Sequence, residues 1–286
     1  MMTGVYLEKW LTMRMQALAP RTIESYRRII RRCEPISGID IRELSTFDVE
    51  TALEPDILAG KMRTAEQIYV LLRTAMADAV ELGVIDVSPV KAMIRPKHRK
   101  TPIRVWTPEE SRAYVAATRG DPRQLEQLLP LLAGLRRGEV CGLMWEDVDL
   151  REGVMHIRRQ KVWLESGGVI VTPPKSEAGI RDVPISSALL DVLRARRQLA
   201  GPLTDLTARG VAEAIQRAAE RAGVRWIGTH GLRHTFATNA IRYGGDMRSL
   251  QMVLGHADYS TTANVYTHPD VDMFRALVAH ASENVV

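Results

Sequence analysis

Val154-Met155-His156-Ile157-Arg158-Arg159, then Gly167-Gly168-Val169-Ile170-Val171, then Ile180-Arg181-Asp182-Val183-Pro184-Ile185 is the stretch that decides the fold class. Val154, His156 and Arg158 alternate with Met155, Ile157 and Arg159, the period of two expected of a strand with one face covered. The paired glycines mark a turn, and the spacing predicts a small antiparallel sheet of about three strands. On both sides the period changes to that of helices: Leu7, Trp10 and Leu11, and later Ile68, Leu71, Leu72 and Ala75, recur at three- and four-residue steps. The chain is thus mainly α with a small antiparallel β-sheet, an α+β protein.

Working outward, Thr107-Pro108-Glu109-Glu110 predicts a helix start, with Thr107 as the cap, Pro108 in the first turn and Glu110 at the capping-box position. Upstream lies Arg95-Pro96-Lys97-His98-Arg99-Lys100-Thr101-Pro102, basic and broken by prolines, which reads as a linker. A chain of 286 residues exceeds what one hydrophobic core usually holds. The expected division is a helical domain over 1–95, a basic linker over 96–106 and a second domain over 107–286. The tail of that second domain, 267–286, carries Met273, Phe274, Leu277 and Val278 at helical spacing.

Hydrophobic residues make up 45% of the chain and charged residues 26%, a balance that lets a core be buried. The formal net charge of +5 and the isoelectric point near 9.3 favour a polyanionic partner. The cationic side chains are grouped. Arg21, Arg27, Arg28, Arg31 and Arg32 share a helical segment with Ile23, Tyr26, Ile29 and Ile30, which fall on another face. That basic face reads either as a solvated surface or as a phosphate contact. The linker residues Lys97, Arg99 and Lys100 read either as plain solvated linker or as a strap along a duplex, where each neutralised phosphate releases counterions. Cys33 and Cys141 stand alone, so neither a disulfide framework nor a cysteine zinc site is expected, and a reducing cytoplasm fits. The longest apolar run, Leu128 to Leu135, falls short of the ~20 residues of a membrane helix. The first ten residues carry Glu8 and Lys9, so no secretory signal is expected.

Four short elements carry chemistry. In Gly134-Leu135-Arg136-Arg137-Gly138-Glu139, Arg136 opens a helix from a turn, and Glu139, three residues on, can anchor the backbone or the arginine itself. Arg136 is then either a phosphate clamp or a surface arginine with a helical ion-pair partner. In Pro173-Pro174-Lys175-Ser176-Glu177, Lys175 lies in a turn between two predicted strands, either a solvated turn residue or a mobile proton donor. In Thr229-His230-Gly231-Leu232-Arg233-His234, a helix puts His230 and Arg233 on one face. His230 and His234 have zinc spacing, but Gly231 stands where the zinc-protease helix has Glu, so no metal is expected. Finally, Leu254-Gly255-His256 precedes Tyr266 by a short step, with Tyr259 between them as a competing nucleophile or packing residue.

Taken in this order, the elements resemble the tyrosine recombinases of the phage integrase family, over nearly the whole chain and most strongly from Ala133 to His268. The resemblance implies a helical core-binding domain followed by a catalytic domain. It makes Arg136 and Arg233 the pair that clamps the scissile phosphate. It makes Lys175 the general acid for the leaving 5′ oxygen and His230 a proton acceptor or hydrogen-bonding partner. His256 supports the transition state, and Tyr266, not Tyr259, is the nucleophile that forms a 3′-phosphotyrosyl bond. Arginines can meet the charge of a phosphoryl transition state without magnesium, and the phosphotyrosyl bond retains the energy needed for rejoining. Neither a metal, nor ATP, nor another cofactor is expected.

The partner implied is double-stranded DNA at core-type attachment sites, met by a homotetramer on synapsed DNA, with a directionality factor as a further partner. The likeness to the core-binding domain begins near Tyr6, so no arm-type DNA-binding domain is expected. The ten-residue step from His256 to Tyr266 favours integration of a phage or mobile element in a bacterial cytoplasm, on the nucleoid. The alternatives are a dimer-resolving recombinase, a noncatalytic DNA-binding protein of the same fold and a type IB topoisomerase. The tail packs either on a neighbouring subunit or on its own domain.

Overall fold

The computed structural model describes residues 1–99 and 102–255. The chain folds as two compact units, one of residues up to 101 with Leu164–Gly168, the other of Pro102–Trp163 and the residues from Val169 on. Among the described residues, no helix is long and apolar enough to cross a membrane.

The first unit is built from four helices: α1 (Thr3–Arg14), α2 (Pro20–Arg32), α3 (Thr46–Leu58) and α4 (Met62–Glu81). The helical spacing seen in the sequence becomes its core, where Leu7, Trp10, Leu11, Ile68, Leu71, Leu72 and Ala75 are all buried. Ser45 caps α3 through a reciprocal capping box with Asp48. Trp10 donates its indole N–H to Asp78 at 2.5 Å and stacks on Tyr26, fixing α1 between α2 and α4. On α2, Ile29 and Ile30 point inward while Arg21, Arg27, Arg28, Arg31 and Arg32 are exposed.

The second unit opens at α5 (Pro108–Ala117), where Thr107 and Glu110 form the capping box expected from the sequence. It continues through α6 (Gln124–Leu132), α7 (Arg137–Gly142), five short strands, α8 (Ser187–Ala195), α9 (Ala208–Arg221), α10 (Gly228–Arg242) and α11 (Met247–Leu254). Helix α6 is buried along most of its length and packs against α8, α9 and α10. Trp106 is buried beside Tyr114, with its backbone N–H on the Thr235 hydroxyl and its indole N–H on the Arg225 carbonyl.

The strands differ from the single sheet that the sequence predicts. β1 (Val148–Asp149), β2 (Val154–Ile157) and β5 (Arg181–Pro184) form one antiparallel sheet in the order β1-β2-β5. β3 (Gln160–Trp163) and β4 (Val169–Thr172) form a separate two-stranded ribbon. The ribbon leans on α7 instead of extending the sheet: a Cβ at Gly142 would stand 2.8 Å from the α-carbon of Gln160, so the close approach is possible only for glycine. Alternation identifies strands but not which strands pair.

Candidate active site

Arg136 takes the N-cap position of α7 in an extended conformation. The Glu139 carboxylate accepts its backbone N–H at 2.8 Å and its guanidinium at 2.7 Å. One side chain therefore caps the helix and orients the arginine. Glu139 is 1% exposed, and it also receives a bidentate pair from Arg181, at 3.0 and 2.9 Å. Burial pushes the Glu139 carboxyl pKa upward, but the hydrogen bonds and charge of Arg181 and the charge of Arg136 outweigh it and hold the pKa below the usual carboxylate range.

Arg233 reaches the same place from α10. It is 2% exposed, donates to the Gly134 carbonyl and the Leu254 carbonyl at 2.6 Å each, and lies 3.9 Å from Glu139. Burial and the neighbouring Arg136 lower its pKa to about 9, which leaves it charged at neutral pH. His230, one turn earlier on α10, is exposed at its outer side. Desolvation of the packed part of its ring, then the charges of Arg233 and Arg136, lower its pKa. Its ring meets His234 edge-on at 4.9 Å, and burial first, then His230 and Arg233, push His234 down to about 4. Among the described residues, no third histidine, cysteine or carboxylate joins the two histidines in a metal-binding group.

The C-terminal end of α11 completes the arrangement. Its last carbonyls lack helical partners and carry the negative end of the helix dipole. Three consecutive ones accept from three different arginines: Val253 from Arg181 at 2.5 Å, Leu254 from Arg233 at 2.6 Å and Gly255 from Arg136 at 3.1 Å. Gly255 ends the helix in the left-handed conformation, φ 64° and ψ 49°. The structure thus brings together Arg136, Arg233 and His230, and adds Arg181, which the sequence pattern did not single out.

Residues 110–273, more than half the chain, match the phage integrase family. The chain belongs to that family. It is a tyrosine recombinase, an enzyme that cleaves and rejoins DNA strands. Its sequence is 26% identical over 281 residues to a tyrosine recombinase XerC-like protein of Caldanaerobacter subterraneus subsp. tengcongensis, spanning 85% of this chain and 72% of that one. Its fold is similar to that of the Tn1549 transposon integrase in complex with a circular intermediate DNA, with a TM-score of 0.82 at 20% identity over 98% of this chain and 99% of that one. It is also similar to the lambda integrase in a tetramer bound to a Holliday junction, with a TM-score of 0.66 at 18% identity over 95% and 81% of the two chains.

The recombinase places the other residues expected from its sequence as follows. Lys175 is exposed on the connection from β4 to β5, between strands of different sheets. His256, Tyr259, Tyr266 and the tail lie outside the described residues, as does Lys100. Arg27, Arg31, Lys97 and Arg99 are exposed, with no ion-pair partner among the described residues. Arg28 pairs with Glu165 at 2.8 Å, and Arg32 lies 3.6 Å from the buried Asp56.

Gly134 supports the site at close quarters. It has φ 64°, and a Cβ there would fall 2.7 Å from Phe236 Cδ1 and 2.9 Å from Leu254 Cδ2. Gly134→Ala combines left-handed strain with overpacking, so a loss of about 2–5 kcal/mol is expected, read as a lowered urea midpoint. Because the Gly134 carbonyl receives Arg233, DNA cleavage by this variant is expected to fall with it.

Proposed function

We propose that the chain is a site-specific integrase, joining two different short DNA sites through a covalent protein–DNA intermediate. The observation that carries this reading is the convergence of Arg136 and Arg233 around the buried Glu139, at the end of the helix that leads into His256 and Tyr266. Two guanidiniums held there are suited to the nonbridging oxygens of a scissile phosphate. In this reading the Tyr266 oxygen bonds to phosphorus and its proton passes to His230, whose lowered pKa keeps the imidazole neutral and able to accept it. The P–O5′ bond breaks with its electron pair on O5′, which takes a proton from Lys175. His256 supplies a further hydrogen bond to the phosphate oxygens. The reverse sequence rejoins the strand to a new 5′ hydroxyl.

Integration is favoured by the likeness to a transposon integrase across nearly the full length of both chains. The likeness to a lambda integrase tetramer on a Holliday junction supports assembly as a homotetramer on double-stranded DNA; a directionality factor is a further proposed partner. The action would take place on DNA in a bacterial cytoplasm. The XerC-like relative favours a second reading, resolution of replicon dimers. A duplex selected for binding from a randomised pool, nicked near its centre, tests the chemistry: native chain should give a band that survives denaturation and is lost after proteolysis. No adduct on any duplex that is bound would overturn the enzyme reading for this chain. Recombination between two unlike sites by this chain alone would support integration; a requirement for a partner recombinase at one site would support resolution.

Arg27 and Arg31 on α2, with Arg21, Arg28, Lys97, Arg99 and Lys100, are assigned to phosphate contacts. Alanine at Arg27 or Arg31 is expected to weaken binding by a similar factor on every sequence and to lower the salt slope by about one unit. Titration at several salt concentrations reads both, and unchanged slopes would remove these residues from the interface.

A further inference from the structure

Arg181 is the one arginine of the cluster that the family resemblance leaves without a role. It is 7% exposed, on the inward side of β5. Its guanidinium spans four acceptors: both Glu139 oxygens, the Gly179 carbonyl at 3.1 Å and the Val253 carbonyl at 2.5 Å. Burying a guanidinium is costly unless its donors are met, and here they are met by groups of the site rather than of the wider core.

The Gly179 contact is the informative one. Glu177–Gly179 form a single helical turn that leads from Lys175 into β5. This turn closes back on the residue before Lys175, since a Cβ at Gly179 would stand 2.4 Å from the Pro174 Cβ. On its other side it lies against the end of α11, where a Cβ at Gly255 would stand 2.7 Å from the Ala178 carbonyl oxygen. The loop bearing Lys175 is thus gripped at its base, and Arg181 joins that base to Glu139, which holds Arg136. Lys175 itself is exposed, so the position of its ammonium follows from where its backbone is held.

We propose that Arg181 is a positioning residue for strand cleavage, fixing the turn that carries Lys175 relative to the arginine-bearing α7. The inference rests on the reading of Lys175 as the donor of the proton to the departing O5′. A shift of an ångström at the turn would separate the ammonium from that oxygen, while DNA affinity and the phosphate clamp would persist.

The test uses the full chain and two nicked duplexes, one with the ordinary O5′ and one with sulfur at the same bridging position. A thiolate leaves without needing a proton. Arg181→Met and Arg181→Lys are compared with native chain in single-turnover cleavage, with DNA affinity and thermal unfolding measured alongside. Lysine retains the charge beside Glu139 but cannot span the same acceptors. General acids contribute roughly 10²- to 10⁴-fold, so cleavage at oxygen is expected to fall by about 100-fold. Cleavage at sulfur is expected to stay within about threefold of native, with affinity unchanged. If Arg181→Met does not fold, Arg181→Lys alone decides. Native rates at oxygen, or equal losses at oxygen and sulfur, would overturn the proposal. Lys175→Ala separates the two readings: if sulfur rescues it but not the Arg181 variants, Arg181 acts otherwise; if sulfur does not rescue it, the role of Lys175 falls and the proposal with it.

Discussion

Tyr266→Phe is expected to bind DNA as the native chain does and to form no covalent adduct at all. The phenol ionises near pH ~10, so at neutral pH its oxygen attacks only where cationic groups stabilise the charge that develops. Phenylalanine keeps the ring and removes the one atom that can bond to phosphorus. The loss should therefore be complete, not partial. Tyr259→Phe should retain the adduct, because a tyrosine serving only to pack loses little with its hydroxyl. Denaturing gels of both variants on the nicked duplex, with mass spectrometry of the nucleotide-bearing peptide from native chain, read the outcome. An adduct that persists in Tyr266→Phe and vanishes in Tyr259→Phe would reassign the nucleophile.

The second large effect is expected at Arg233. Loss of one arginine that meets transition-state charge costs ~10³-fold or more in phosphoryl transfer, so Arg233→Ala should cleave at least that much more slowly than native chain. The same change has a structural cost. It leaves the Gly134 and Leu254 carbonyls without a buried donor. Lost buried partners of this kind cost about 1–3 kcal/mol each. Arg233→Lys separates the two effects: it preserves a cation near Glu139 and should unfold closer to native, yet its compact ammonium lacks the planar fork that spans both carbonyls while facing a phosphate oxygen. Cleavage should remain about 100-fold or more below native in this variant. Single-turnover rates with saturating protein and thermal unfolding of the same samples make the comparison. Native-like rates in Arg233→Lys would remove Arg233 from the phosphate clamp.

Local signals in the sequence carried well into the structure. Thr107 and Glu110 act within one turn of each other, and so do Arg136 and Glu139, so their spacing alone is informative. The helical spacing around Trp10 and Leu72 reports burial for the same reason. Long-range pairing is what the spacing does not encode. β4 pairs with β3 and not with β5, so Lys175 bridges two sheets where one was expected. Arg181 was missed although a signal was present. It shares the strand face of Val183, which is buried, whereas Asp182 and Pro184 point out. An arginine on the inward parity of a strand requires buried acceptors, and Glu139 supplies two of them. The basic face of α2 was visible from composition, but its partial engagement by Glu165 depends on a residue more than a hundred positions away.

Because α11 ends on donors supplied by Arg233 and Arg136, two equilibria share the same atoms. One is the seating of that helix end; the other is the readiness of the guanidiniums for an anion. A guanidinium carries more donors than one carbonyl takes up, so the two need not exclude each other. Thermodynamic reciprocity then applies: whatever holds the helix end in place preorganises the arginines, and an anion that orders the arginines secures the helix end by the same free energy. Binding of an anion at the arginines and seating of the α11 end are in this way one cooperative event.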